Sequence, residues 1–190
     1  MKGKALKREL IHTRTISVNC YETDEERLVV EGQLIDERHF PYVLHALNQN
    51  RDAGLMHHMT LTMELTIPQL NILSIETEMP VIPDVGCSDV KAVVQKLAGR
   101  RIQPGFTNEV KKIFGKASGC IHLTNLILTM SSAAVQGLWS YFSRSRKGGA
   151  LTLPGMDGSM LLDSCYMWRK DGPFVKNIGQ RRVAERKQGR

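Results

Sequence analysis

Long apolar runs are missing from this chain of 190 residues. Without a stretch of about 18 consecutive apolar residues, no transmembrane helix is expected. The basic opening Met1–Arg8 is not followed by the apolar core or cleavage site of a secretory leader, which sets the expectation of a cytoplasmic protein. Cysteine is scarce: the four are Cys20, Cys87, Cys120 and Cys165, with no CxxC pair among them. That spacing argues against a zinc ribbon, and without a secretory signal free thiols or metal ligands are expected in place of disulfides. Aromatics make up 6% of the chain, and few stand among its basic residues. A stacking platform for single-stranded nucleic acid is therefore disfavoured. No internal repeat is visible and no nucleotide cofactor is indicated.

What is present is a positive charge gathered at one end. From Arg144 onward eleven Lys and Arg face four Asp and Glu, so this segment carries the whole net charge of +7. The simplest reading is a solvated tail. Nucleic-acid binding through it ranks last, because no reading module accompanies it. The expected organisation is a basic N-terminal extension over 1–9, a single α+β domain over 10–143, and a glycine-rich basic extension over 144–190. Leu161, Leu162 and Tyr166–Trp168 would dock that extension on the domain or on a second subunit, giving a homo-oligomer. Its end, from about Gln180, is expected to be mobile.

Within the domain the hydrophobic period changes from two to 3.6. Leu10–Tyr21 and Leu28–Asp36 read as strands, and Met59–Ile67 alternates apolar residues with Thr60, Thr62, Glu64 and Thr66. Pro68-Gln69 predicts a tight turn and Leu70–Met79 a returning strand, with Met79 opposite His58. Pro80 and Pro83 are expected to end the sheet. The intervening 37–53 reads as a short helix over Pro41–Leu47 and a polar loop. Val90, Val93, Val94 and Leu97 then sit at helical spacing, with Gly99 closing that helix. A second helix follows Gly105, with Thr107 as its cap. The third and longest runs from about Ile121 to Phe142. Strands followed by helices mean an antiparallel sheet with helices packed on one face.

Three clues suggest a site. His57 and His58 stand before the best strand, where adjacent side chains point to opposite faces, so only one can enter a given cavity. Cys87 follows a glycine in the loop after the prolines. Cys120 and His122 lie at the start of the longest helix, where a positive dipole end favours a thiolate. Imidazole and thiolate from separate segments suit zinc or iron. His12 and Arg14 share one face of the first strand, so Arg14 could hold a substrate carboxylate through a bidentate pair.

Two resemblances follow from these stretches. Leu10–Arg14, Glu31–Leu34, Gly54–Met59, Gly99–Ile102 with Gly105-Phe106, and Gly119–Leu123 resemble the signatures of the bacterial domain-of-unknown-function 2889 family. That family implies no settled activity. In it His-Asp-Met is expected where this chain reads His57-His58-Met59. More distantly, HMTLTMELTIPQLNILSIETEM, GCSDVKAVVQKLAGRRI and SGCIHLTNLILTMSSAAVQGLW are similar to the hairpin, ligand loop and last helix of NifU/IscU-type iron–sulfur scaffolds. This second resemblance implies a SufE/NifU-like core with extra N-terminal strands. It also places His58 at the aspartate beside the first cysteine ligand, Cys87 at the second cysteine and Cys120 at the third. The first cysteine is absent here, and His122 follows Cys120 instead of preceding it directly. A mononuclear metal or an altered cluster is implied in place of a standard two-iron cluster.

The leading expectation is thus a metal-binding protein, with zinc or iron held by His58 or His57, Cys87, Cys120 and His122, that meets a small molecule or protein partner there. The alternative is a small lyase or hydrolase acting on a carboxylate-bearing molecule in the same pocket. Its nucleophile would be Cys120 or a metal-activated water.

Overall fold

Alternation over three long stretches builds most of one sheet. The computed structural model describes residues 7–144, 162–163 and 165–178. In it β1 (His12–Glu22), β2 (Arg27–Arg38), β5 (Gly54–Thr66) and β6 (Ile72–Val81) form an antiparallel sheet in the order β1-β2-β5-β6. Between β2 and β5 a small separate hairpin, β3 (Tyr42–Leu44) with β4 (Gln49–Arg51), is closed by a single 3-10 turn. The helix expected over Pro41–Leu47 is therefore a hairpin. Asn48 adopts the left-handed conformation at its turn, which asparagine tolerates better than most residues.

The two faces of the sheet are unlike. On one, Leu28, Val30 and Leu34 of β2 and Met59, Leu61, Met63 and Leu65 of β5 are almost fully buried. The other is polar and partly exposed, with Glu31 and Gln33 next to Thr60 and Thr62, as antiparallel sheets solvated on one side usually are. The apolar face is covered by α3 (Ile121–Arg144), whose Leu123, Leu126, Ile127, Met130, Ala134 and Leu138 are buried. Gly32 lies under this helix. A Cβ there would run into the Met130 side chain and come within 3.0 Å of Leu126. The glycine inside β2 is what lets α3 sit close.

Before α3 the chain passes through two shorter pieces. The stretch expected as one helix is a 3-10 segment (Val85–Val90), a single α turn α1 (Lys91–Val94) and a second 3-10 turn (Gln95–Leu97), with Val94 and Leu97 buried. Then α2 (Phe106–Phe114) buries Phe106, Val110 and Phe114 at a spacing of four. Its cap is Gly105, at φ +96°, two residues before the expected Thr107. Gly accepts that φ without a steric cost.

β6 also departs from expectation. It runs through Pro80 to Val81, since an outermost strand and a bulge are the places in a sheet that tolerate proline. His58 pairs with Val81 instead of Met79, after two irregularities, one between His58 and Thr60 and one between Glu64 and Leu65. Each bulge adds a residue to one strand and shifts the register.

The chain divides into two compact units, Met1–Ser145 and Arg146–Arg190. In the second, a 3-10 turn at Tyr166–Trp168 precedes a short helical stretch over 173–178, and the Trp168 ring meets Phe174 edge-on, centroids 5.5 Å apart. The expected linker, the docking residue Leu161 and the expected mobile end lie outside the described residues. Among the described residues no helix is long and apolar enough to cross a membrane.

Candidate metal centre

The strand register assembles the centre. Arg14 stands opposite Asp36, and Asp36 opposite His57, so three adjacent strands contribute one row of side chains. All three share the parity of the buried face: Asp36 continues Leu28, Val30 and Leu34, and His57 continues Met59 and Leu61. An irregularity between Asp36 and Glu37 ends the regular pairing just past the row. Above it stands the first turn of α3. Cys120 caps that helix through its carbonyl, which accepts from the Thr124 N–H at 2.9 Å and from the Thr124 hydroxyl at 2.8 Å. Gly119 precedes it in extended conformation, where a Cβ would press on the Phe114 backbone at 2.8 Å. The small residue lets α2 and the start of α3 meet. His122 then points back at the sheet.

Asp36 is 3% exposed and saturated with donors. Arg14 donates to it in bidentate fashion, Nε to Oδ1 and Nη2 to Oδ2, both at 2.7 Å. His12 Nε2 lies 3.2 Å from Oδ1, and His57 Nδ1 lies 3.0 Å from Oδ2. His122 Nε2 approaches the same Oδ2 at 3.5 Å. The His57 and His122 rings face each other with centroids 3.9 Å apart, tilted by 32°. On its far side His122 Nδ1 meets the Cys120 thiol at 3.6 Å. A chain of contacts thus runs from Cys120 through His122 to Asp36 and Arg14.

The electrostatics follow from this packing. Burial alone would raise the Asp36 carboxyl, but the hydrogen bonds and charge of Arg14, helped by His122 and His57, hold it at about 2. The Arg14 guanidinium is in turn raised by its hydrogen bonds to Asp36. Burial pushes His57 down, although Asp36 opposes it. Burial, then the neighbouring His57 and Arg14, push His122 down to about 4 despite Asp36. At neutral pH the row therefore holds one carboxylate, one guanidinium and two neutral imidazoles.

That donor set fits a metal ion. One ligand atom each from Asp36, His57 and His122 lies within 4.8 Å of the others. A tetrahedral ion bound at about 2.0–2.1 Å needs ligand atoms about 3.3 Å apart. The 3.0 and 3.5 Å separations around Oδ2 bracket that figure. Neutral imidazoles and an ionised carboxylate are the forms that ligate.

The residues singled out in the sequence are distributed unevenly. His57 and His122 are in the cluster, Cys120 is next to it, and His12 and Arg14 contact Asp36 directly. Arg14 makes a bidentate pair as expected of it, with the chain's own Asp36 as the carboxylate. His58 projects from the opposite sheet face, its Nε2 2.9 Å from the Gln33 amide nitrogen. Cys87 lies beyond β6 in the Val85–Val90 segment, outside the grouping. All four cysteines are free thiols. Sequence reasoning missed Asp36, the hub of the cluster. Its signal was available: an acidic residue at the even position that follows Leu28, Val30, Gly32 and Leu34 in one strand.

Set beside known proteins, residues 12–136 match a family model described as "Protein of unknown function (DUF2889)". No curated protein and no solved structure matches the chain.

Proposed function

The chain belongs to that DUF2889 family, and on this premise we propose that it binds one divalent transition metal, zinc or iron, through Asp36, His57 and His122. The observation that carries the reading is the convergence of these three side chains from β2, β5 and α3, two of them buried, within metal-ligand range. Three protein ligands leave a coordination position free, as in catalytic sites and unlike closed structural ones. Two imidazoles and one carboxylate suit zinc or non-haem iron equally. Arg14 and Cys120 act as outer partners, Arg14 orienting the carboxylate and Cys120 setting the ring of His122. A bound ion would supply Lewis acidity or an activated water, and the free position would admit a small molecule. A NifU/IscU-like cluster has less support, since among residues 7–144 Cys120 is the one thiol that contacts a ligand, and it faces the Nδ1 side of His122.

A second reading rests on one specific geometry. Cys120, His122 and Asp36 stand in the order nucleophile, base and orienting carboxylate, at 3.6 and 3.5 Å. This supports a hydrolase or lyase acting on a carboxylate-bearing molecule. Against it, an imidazole held at about 4 is a weak base at neutral pH. As a neutral ligand the same imidazole needs no deprotonation.

Titration with Co(II) separates the two readings. We expect visible absorption of a nitrogen- and oxygen-ligated ion that survives Cys120→Ser and vanishes in His122→Ala. Absence of Co(II), Zn(II) and Fe(II) binding by the wild-type chain would reject the metal reading. Fast alkylation of Cys120 that depends on His122 would then favour the nucleophile.

A further inference from the structure

β1 and β6 are the two edges of the sheet, and they are finished differently. The β6 edge is covered: Ile72 exchanges backbone hydrogen bonds with Gly99 and Arg100, both at 2.8 Å, and the Gln95 amide donates to the Ile75 carbonyl at 2.6 Å. It also carries Glu76, Glu78 and Pro80, the residue types that discourage pairing with another strand. β1 carries fewer of these devices, its charged side chains being Arg14, turned to Asp36 on the covered face, and Glu22 at its end. Its eleven residues include no proline and no lysine, its pairing with β2 runs without a bulge, and its open-face residues Thr13, Thr15, Ser17, Asn19 and Tyr21 are uncharged. Among the described residues no strand pairs with its outer side.

Two hydrogen bonds set the direction of its unpaired groups. His39 donates to the Ile11 carbonyl and Thr23 to the Arg27 carbonyl, one at each end of the β1–β2 pair and in the same register. Hydrogen-bonded pairs in an antiparallel ladder recur at every second residue. The odd residues of β1 therefore bond to β2, and the even ones, His12 to Glu22, turn their N–H and C=O outward.

We propose that β1 pairs antiparallel with β1 of a second copy of this chain, centred on Ser17, to make one continuous eight-stranded sheet. Full overlap of His12–Glu22 requires that centre. With it, even residues oppose even residues, so every outward N–H and C=O meets its complement. It also sets His12 opposite the second copy's Glu22 on both sides of the two-fold axis, where an imidazole N–H can donate to the carboxylate that Arg144 already holds. The α3 helices fall on the same face of the joined sheet. Next to this edge lies a groove of about 440 Å³, lined by Val18, Cys20 and Leu28 and by Ala133, Gly137 and Tyr141 of α3. The second copy would roof it. Because His12 also contacts Asp36, the pairing brings a second-copy carboxylate to the rim of each candidate metal centre. The pairing itself needs no metal.

The test is sedimentation of the full chain over a range of concentrations. We expect a dimer at micromolar concentration. Val18→Pro removes an outward N–H and leaves the β1–β2 ladder intact. It should raise the dimer dissociation constant about 100-fold, since the symmetric contact loses a hydrogen bond in each copy. Thr15 and Asn19 are exposed and face each other across the interface. Thr15→Lys with Asn19→Lys, and Thr15→Glu with Asn19→Glu, should each give folded monomers by circular dichroism. Mixing the two variants should restore a dimer. A monomeric wild type at tens of micromolar would overturn the proposal. So would a dimer indifferent to these substitutions, or charge variants that stay apart when mixed.

Discussion

His57 and His58 are neighbours in sequence and sit in opposite environments. His57 lies on the covered face of the sheet, 9% exposed, against Asp36 and beneath His122. His58 lies on the open face, bonded to Gln33 among threonines and glutamates. The residue type is the same, yet only on the covered face does burial bring imidazoles and a carboxylate together without water between them. In this protein the chemistry lies where the polar row interrupts the apolar face, and the open face serves as a solvated surface.

Loss of the hub should have the largest effect on the covered face. Asp36→Ala strands Arg14 and His57 without their acceptor. We expect metal affinity to fall by more than the roughly 10- to 100-fold typical of losing an outer partner. Chemical denaturation of the metal-free protein should show a loss of about 3 kcal/mol, the low end for breaking a buried pair, because Arg14 remains partly exposed. A loss as small as that of a surface substitution would mean that the two faces are energetically alike. Packing should distinguish them next. Gly32→Val, under Met130, should cost about 1–3 kcal/mol by overpacking, whereas Thr62→Val on the open face should stay within about 0.5 kcal/mol.

Acid sharpens the contrast further. His122 is held to about 4 in the folded chain, below its ordinary 6.5. Between these values the unfolded chain binds a proton that the folded chain resists. Stability from this group is therefore complete above about 6.5 and declines as pH falls toward about 4. Asp36, lowered from 3.8 to about 2, adds a second decline through that lower window. In the metal-free protein, His122→Asn should flatten the first decline in urea melts, and an unchanged pH profile would refute the burial argument. Arg14→Lys keeps the charge but loses the bidentate geometry, and should weaken metal binding about 10-fold by calorimetry.

Much of this was legible in the sequence. The alternation from Met59 to Leu65 gave the centre of β5 and its buried face, although the strand begins earlier, at Gly54, and so contains His57 and His58. The apolar stripe of α3 located its start near Ile121. Both signals are periodic and sum over many residues. The β3–β4 hairpin was not legible, because its three-residue strands are too short to show a period. The β6 register was lost to two bulges that leave no mark in composition. The ligand row was half legible. Strand parity puts His57 with Met59 and Leu61, and Asp36 with Val30 and Leu34, whereas likeness to a cluster scaffold favours His58 and Cys87. Local parity specifies which way a side chain points. Distant likeness carries only the order of elements.

The face that holds the metal can be read from the metal content of the full chain purified anaerobically without chelator, measured for the wild type, His57→Ala and His58→Ala. We expect near one equivalent of zinc or iron in the wild type and in His58→Ala, and a loss of most of it in His57→Ala. A metal-free wild type, or equal loss from the two variants, would contradict the assignment of the site to the covered face.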